Sequence, residues 1–182
     1  MVAMNSPNNI LNKCKKQLPD IHFLEAETFY WSPQNNTIYL NSVALESVEG
    51  QWALLHESAH ALLAHQNYQT DAGLLMLEVE AWQGAQEMGK KLDVIIDEEH
   101  IQDCLNTYRD WLYARSTCPT CTLNSLQIDK TTYACLNCSC QWSVSASRFC
   151  RPYRLRQSAK SVALNPKQAL NQKPETAQSV FI

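Results

Sequence analysis

The alternation of apolar and polar residues along the chain predicts four helices and a small sheet. Apolar side chains return with the 3.6-residue period of an α-helix in four stretches, which are residues 7–18, 47–66, 71–91 and 97–116. Residues 21–31 are rich in aromatic and β-branched types, and the turn-forming residues 32–36 separate them from a second predicted strand over 37–41, which predicts a β-hairpin. We therefore expect an α+β body that is mainly helical.

Polar residues at the start of two stretches predict where those helices begin. Asp71 and Asp97 precede apolar-periodic segments, and a short carboxylate side chain there can accept a hydrogen bond from the first backbone N–H groups of a helix. We expect them to be the N-caps of the third and fourth helices.

The helical pattern stops at Cys118, where short cysteine-bearing segments begin. The 182 residues, 45% of them hydrophobic and 18% charged, suffice for one sizeable domain and one small module. We predict a body over residues 1–117, a cysteine-rich module over 118–150 and a basic, disordered tail over 151–182.

The sequence predicts a soluble cytoplasmic protein with no membrane partner. No apolar run reaches the roughly 18 residues that a membrane span needs, and the N-terminus lacks the basic-then-apolar order of a secretory signal. In a reducing compartment a cluster of cysteines indicates metal ligands rather than disulfides. Six of the eight cysteines fall between Cys118 and Cys150, so we expect a metal site there.

Charge is distributed unevenly along the chain. Residues 1–117 carry 16 acidic and 7 basic side chains, whereas residues 145–182 carry 7 basic side chains and one acidic one. An acidic body argues against a body that wraps nucleic acid, but the basic end is a candidate for contacts with phosphate or with an acidic protein surface. A tail that is only solvated explains the same charges. The candidate side chains are Arg148, Arg151, Arg154 and Arg156.

The segment His56-Glu57-Ser58-Ala59-His60 matches the HExxH pattern inside the apolar second helix. Spacing of four residues places both imidazoles on one helical face, where they can bind one zinc ion while the glutamate lies beside the open coordination position. That glutamate would act as the general base for a zinc-activated water. Two histidines in this helix by chance would leave costly buried imidazoles.

A catalytic zinc needs a third protein ligand. In metzincins it is a histidine six residues after the second one, preceded by a glycine; here His65 comes five residues after His60 and no glycine precedes it, which excludes that class. The alternative is a glutamate from the next helix, either Glu78 or Glu80. Residues two apart on a helix point about 200° apart, so only one of them can face the metal.

These motifs together resemble the ImmA/IrrE family of zinc metallopeptidases, which are gluzincin-like. The resemblance covers roughly residues 5–115 and depends on HESAHALLAH followed by EVEAW. It implies that His56, His60 and Glu78 are the ligands of the catalytic zinc and that Glu57 is the catalytic base. Trp82 stands where the family usually has a polar residue that supports a ligand imidazole, and Glu80 and Asp71 are candidates to supply that support.

The resemblance also implies how a substrate is held. Gluzincin-like peptidases commonly bind substrate as an added strand on a sheet edge, and residues 37–40 are a candidate edge, or alternatively pack on the active-site helix. An oxyanion-stabilising side chain is expected as well, and the sequence leaves four candidates open: His65, Tyr68, His100 and Tyr108.

Two CxxC pairs indicate a second, structural zinc site. Their four cysteines are Cys118, Cys121, Cys135 and Cys138, and such paired knuckles are typical of a zinc ribbon in which four thiolates close a tetrahedral site. Cys140 is an alternative to Cys138 as a ligand, and Cys150 is left over. Between the pairs, residues 125–134 predict two short strands joined near Asp129.

The expected function is therefore that of a zinc metallo-endopeptidase, a hydrolase with one catalytic and one structural zinc. The resemblance implies a cytoplasmic protein substrate, such as a DNA-binding transcriptional repressor, which the ribbon would select or position. The alternative is a catalytically inactive, zinc-binding regulatory or nucleic-acid-binding adaptor that uses the basic C-terminal segment.

Overall fold

The computed structural model describes residues 7–145 and 154–157. Within them, helix α1 spans Pro7–Gln17, α2 spans Val48–Leu62, α3 spans Asp71–Lys91 and α4 spans Glu98–Ser116. These helices lie within the four predicted segments, and the predicted α+β class is confirmed. None of the helices in this part of the chain is long and apolar enough to cross a membrane.

The first sheet has three strands where the sequence predicted a two-stranded hairpin. Strands β1 (His22–Glu25), β2 (Tyr30–Ser32) and β3 (Thr37–Leu40) lie in the order β1-β3-β2. Strands β2 and β3 form the expected antiparallel hairpin, but β1 pairs in parallel with β3.

Two of the expectations for this region were therefore wrong. Residues 21–31 are not one strand, because the chain bends after β1, where the side chain of Asn41 donates to the backbone carbonyl of Glu27. Residues 37–40 are not a sheet edge either, because β3 lies between the other two strands.

Local side chains fix where α2 and α3 begin. The Ser47 hydroxyl accepts a hydrogen bond of 2.9 Å from the backbone N–H of Gly50, and Thr70 does the same for Gly73 at 3.0 Å. Thr70 is thus the N-cap of α3, which corrects the assignment to Asp71, while the side chain of Asp97 accepts from the Glu99 N–H as expected of a cap of α4.

Helix α2 ends in a Schellman motif. The N–H of Ala64 donates to the carbonyl of Ala61, and the N–H of His65 donates to the carbonyl of His60. Ala64 takes the left-handed conformation that this motif requires, with a φ of 52°. The chain therefore reverses after Leu62 and returns His65 toward the last turn of the helix.

Small residues let α2 and α3 approach closely. A Cβ atom added to Gly84 of α3 would lie 3.0 Å from the Cβ of Ala59 of α2. The backbones can therefore come close enough for short side chains of the two helices to meet.

The second sheet is antiparallel, with strands in the order β4-β5-β6-β7. The strands are β4 (Leu126–Asp129), β5 (Thr132–Ala134), β6 (Gln141–Val144) and β7 (Arg154–Arg156). The predicted pair of strands between the cysteine pairs is confirmed as the β4–β5 hairpin. Strand β7 falls within the segment that we assigned to a disordered tail, so part of that tail is sheet.

The chain divides into two compact units. Of the residues that the structure describes, the first unit contains 7–67 and 76–105, and the second contains 68–75, 106–145 and 154–157. The HExxH motif lies in the first unit and all four CxxC cysteines lie in the second.

Candidate metal centres

Helix α2 brings the two histidines of the HExxH motif together. The Nε2 atoms of His56 and His60 lie 3.1 Å apart, and both side chains are buried. This arrangement follows from the four-residue spacing, which stacks the two side chains one helical turn apart on the same face.

Helix α3 adds a carboxylate to the pair. Glu78 Oε2 lies 3.2 Å from His56 Nε2 and 3.8 Å from His60 Nε2. A tetrahedral zinc site with bonds of about 2.0–2.1 Å has ligand atoms about 3.3–3.4 Å apart. The three side chains, which we call the histidine site, therefore offer nitrogen and oxygen donors at separations close to those around a tetrahedral metal ion.

Burial and charge set the protonation of the histidine site. Burial lowers the pKa of His56 to about 4. Burial alone would raise the pKa of Glu78, but hydrogen bonds from the two imidazoles outweigh it and hold that pKa far below its usual range. For His60, burial lowers the pKa, but the hydrogen bond to Glu78 and the negative charges of Glu78 and Glu57 together outweigh it and raise the pKa. A neutral His56 and an ionised Glu78 are the forms that bind a cation.

Glu57 lies beside the histidine site and is fully buried. Its Oε1 is 4.0 Å from His56 Nε2, and its Oε2 accepts a hydrogen bond from the backbone N–H of Trp31 in β2. The sheet thus fixes the orientation of this carboxylate. Sequence reasoning missed Trp31, because a backbone donor 26 residues away leaves no residue-type signal.

The candidates for supporting a ligand imidazole lie in different places. Glu80 lies beside His65, with its Oε2 3.3 Å from His65 Nε2, and it does not share the position of Glu78. Asp71 belongs to the second unit, where its carboxylate binds Arg115. The ring of Trp82 lies against that of His56, with centroids 4.2 Å apart.

The four oxyanion candidates are divided between the two units. His65 contacts His60, with 2.9 Å between their Nδ1 atoms, and His100 packs against the rings of Trp52 and Trp82. Tyr68 and Tyr108 belong to the second unit.

The four CxxC cysteines form one cluster, which we call the cysteine site. Their sulfur atoms all lie within 4.8 Å of one another, with Cys118 Sγ 3.6 Å from Cys138 Sγ and Cys121 Sγ 3.4 Å from Cys135 Sγ. Four sulfur atoms around zinc at 2.3 Å lie about 3.8 Å apart. The cluster therefore fits a tetrahedral metal ion. Cys138 is exposed, whereas Cys118 and Cys135 are buried.

The two CxxC pairs have the same backbone conformation. In each, the residue after the second cysteine is left-handed, with φ of 64° at Thr122 and 57° at Ser139. Their N–H groups donate to the carbonyls of Cys118 and Cys135, each over 3.0 Å. Two equivalent knuckles therefore face each other, as expected for a site shared by two pairs of thiolates.

The electrostatics of the cysteine site favour a cation. A hydrogen bond with the Ser125 side chain, together with nearby backbone N–H groups, lowers the pKa of Cys135 to about 6. The backbone N–H of Cys140 favours a thiolate at Cys138, but desolvation and the neighbouring sulfur atoms outweigh it and raise that pKa to about 12. Four adjacent thiolates need a positive charge between them, which a metal ion supplies.

The remaining sequence candidates lie near the second sheet or outside the described residues. Cys140 is buried, and its sulfur lies 3.8 Å from the Gln141 carbonyl, outside the cysteine site. Arg154 and Arg156 are exposed on β7. Three candidates fall outside the part of the chain that the structure describes: Arg148, Cys150 and Arg151.

A buried ion pair supports the second unit. Arg115 and Asp71 are both about 1% exposed, and Arg115 Nη2 lies 3.3 Å from Asp71 Oδ1. The hydroxyl of Tyr133 in β5 donates to Asp71 over 2.6 Å, and the indole N–H of Trp142 in β6 donates to the Arg115 carbonyl over 3.0 Å. This network joins the strands that follow the first CxxC pair to the first residue of α3 and the end of α4.

Neither a scan against protein-family models nor searches of curated proteins and solved structures find a match to this chain. The likeness to the ImmA/IrrE peptidases therefore depends on the sequence motifs alone.

Proposed function

We propose that the protein is a zinc-dependent metallo-endopeptidase of the ImmA/IrrE type. Its substrate would be a cytoplasmic protein, such as a transcriptional repressor. The observation that carries the proposal is the arrangement of the histidine site, where two imidazole Nε2 atoms 3.1 Å apart meet a carboxylate oxygen from the next helix. The glutamate between the two histidines lies alongside, as the resemblance implies.

The residues have distinct roles in this proposal. His56, His60 and Glu78 would hold a zinc ion, which supplies Lewis acidity that lowers the pKa of water and polarises a carbonyl. Glu57 is the general base. Its Oε1, which lies on the side of His56, takes a proton from the attacking water and passes it to the leaving amine. Trp31 keeps Glu57 in place by its hydrogen bond to Oε2.

The test compares three glutamate variants of the full chain loaded with zinc. Glu57→Gln should keep two zinc ions per chain but cleave a fluorogenic peptide library about 100-fold to 10,000-fold more slowly than the wild type, because only the base is lost. Glu78→Ala should lose the zinc of the histidine site together with cleavage. Glu49→Gln, at an exposed position of α2, is the matched control and should retain both.

Elemental analysis and the cleavage rate, measured on the same preparations, separate these outcomes. Loss of zinc from Glu57→Gln would show that this residue is a ligand, and the assignment of the base would then be wrong. If the wild type binds two zinc ions but cleaves no peptide of the library, the second candidate is favoured.

That second candidate is the inactive adaptor, and burial favours it. The side chains of the histidine site and of Glu57 are each at most 8% exposed. Structural zinc sites are closed to water in this way, whereas catalytic sites keep one position open. Under this alternative the zinc would hold α2 and α3 together, and the exposed arginines of β7 would contact a partner or nucleic acid.

The proposal also assigns a role to the ribbon. A structural zinc in the cysteine site would hold its two knuckles, and its exposed strands would select or position the protein substrate. The ribbon offers exposed apolar side chains for that purpose, among them Leu126 and Ile128 of β4.

A further inference from the structure

His65 is placed against the histidine site by the way α2 ends. The Schellman motif at Ala61–His65 reverses the chain, and the backbone N–H of His65 bonds to the carbonyl of His60 over 3.0 Å. The indole N–H of Trp31 donates to the carbonyl of His65, also over 3.0 Å. Two hydrogen bonds to its backbone thus hold His65 in place. This is the histidine that follows His60 one position too early to be a metzincin ligand.

The side chains of His60, His65 and Glu80 form a series of three groups within hydrogen-bonding distance of each other. His60 turns its Nε2 toward His56 and Glu78, and its Nδ1 lies 2.9 Å from the Nδ1 of His65. The other nitrogen of His65, Nε2, lies 3.3 Å from Oε2 of Glu80. His65 is 8% exposed and Glu80 is 52% exposed, so this series of side chains extends from the buried site to the solvent.

When His60 binds a metal through Nε2, the hydrogen bonds of these three side chains fix which nitrogen of each histidine carries a proton. A neutral imidazole bound through Nε2 carries its proton on Nδ1, and that N–H must find an acceptor. The acceptor within reach is His65 Nδ1, which leaves the proton of His65 on Nε2. This second N–H then donates to the carboxylate of Glu80.

We propose that His65 and Glu80 are positioning residues that fix the orientation and tautomer of His60 for metal binding. The proposal rests on the proposed zinc site and names the outer support of one ligand. It also explains why Glu78 and Glu80 both occur on α3. One would bind the metal directly, and the other supports the second histidine from the opposite side through His65.

The test measures the metal affinity of the histidine site in the full chain. Cobalt(II) distinguishes the two sites, because only the cysteine site gives thiolate-to-metal charge transfer in the near ultraviolet. Zinc competition against a chelator then gives the affinity of each site. Outer-shell partners of ligand histidines are typically worth 10-fold to 100-fold in metal affinity.

We expect His65→Leu to weaken the histidine site by 10-fold to 100-fold and to leave the cysteine site unchanged. His65→Gln should recover most of that loss, because its amide oxygen can accept from His60 and its amide N–H can donate to Glu80. Glu80→Leu should have a smaller effect than His65→Leu, since water can reach the exposed position of Glu80. Glu87→Leu, at an exposed position of α3, should have none.

A second readout reports the tautomers directly. Side-chain ¹H–¹⁵N spectra of the zinc-loaded protein should show the proton of His60 on Nδ1 and that of His65 on Nε2. Equal affinities of wild type and His65→Leu would overturn the proposal, as would a proton on Nδ1 of His65. Equal losses in His65→Leu and His65→Gln would leave His65 only a packing role. If the wild-type histidine site takes up no metal at all, the proposed function itself is wrong.

Discussion

The histidine site and the cysteine site differ in what supports their ligand atoms. The ligands of the histidine site lie on α2 and α3, which form for reasons of their own: a serine N-cap, apolar periodicity and a close approach at Gly84. The candidate ligands of the cysteine site lie on two turns. The buried core around them has six residues, of which only four are not candidate ligands: Tyr133, Cys140, Trp142 and Val144. We therefore expect the first scaffold to persist without a metal, and the second, with its small core, to need one in order to fold.

The largest effect should follow from removing the metal of the cysteine site. In Cys135→Ser we expect residues 118–145 to lose amide protection while α2 and α3 keep theirs, because structural zinc contributes about 10–16 kcal/mol to the folding of such modules. Hydrogen exchange read by mass spectrometry measures both regions in one sample. Cys140→Ser, outside the cysteine site, should keep the zinc and the protection. Full protection of the ribbon in Cys135→Ser would mean that protein contacts alone hold it.

Removing the ion pair between Asp71 and Arg115 measures how much protein contacts contribute to the stability of the second unit. Arg115→Met leaves the Asp71 carboxylate buried without its cation, which should cost about 3–5 kcal/mol in the free energy of unfolding. Urea denaturation followed by Trp fluorescence measures it, and Arg109→Met at an exposed position of α4 is the control. The double variant Asp71→Asn with Arg115→Met should lose less than the two single losses added together. A cost below about 1 kcal/mol would assign the ribbon's stability to the metal alone.

The smallest effect tests whether the end of α2 is set by the backbone. Ala64 has a φ of 52°, which glycine adopts without strain. Ala64→Gly should therefore raise the free energy of unfolding by about 0.5–1 kcal/mol, with and without zinc. Ala61→Gly, inside the helix, should lower it by about 1 kcal/mol. Thermal unfolding of both variants gives the comparison, and a loss of stability in Ala64→Gly would contradict the left-handed conformation.

The parts of the structure that depend on spacing could be predicted from the sequence. A separation of four residues in a helix fixes the meeting of His56 and His60, and the repeated CxxC fixes the two knuckles. The opposite directions of Glu78 and Glu80 followed from helical geometry, but the residues alone did not say which one faces the histidines.

The parts that depend on distant contacts could not be predicted. Asp71 and Arg115 are 44 residues apart in the sequence, and the partner of each is decided by packing. The bend after β1 was missed because the aromatic-rich segment has no glycine or proline before Pro33. His65 was considered only as a ligand or an oxyanion donor, since nothing in its residue type reveals that α2 ends in a reversal.

The exposure of Cys138 should make a metal-bound cysteine site sensitive to oxidants. Oxidation of cysteine to a sulfenic acid depends on thiolate character and on access. The raised pKa of Cys138 keeps it a thiol when no metal is bound, but all four sulfur atoms of a metal-bound site are thiolates, so access then decides which one reacts first. Cys138 is exposed, whereas Cys118 and Cys135 lie behind the surface, so an oxidant reaches the sulfur of Cys138 before theirs. Loss of that sulfur as a ligand would leave three thiolates and weaken metal binding. The cysteine-rich module would then unfold, while the helices that carry the histidines would keep their structure.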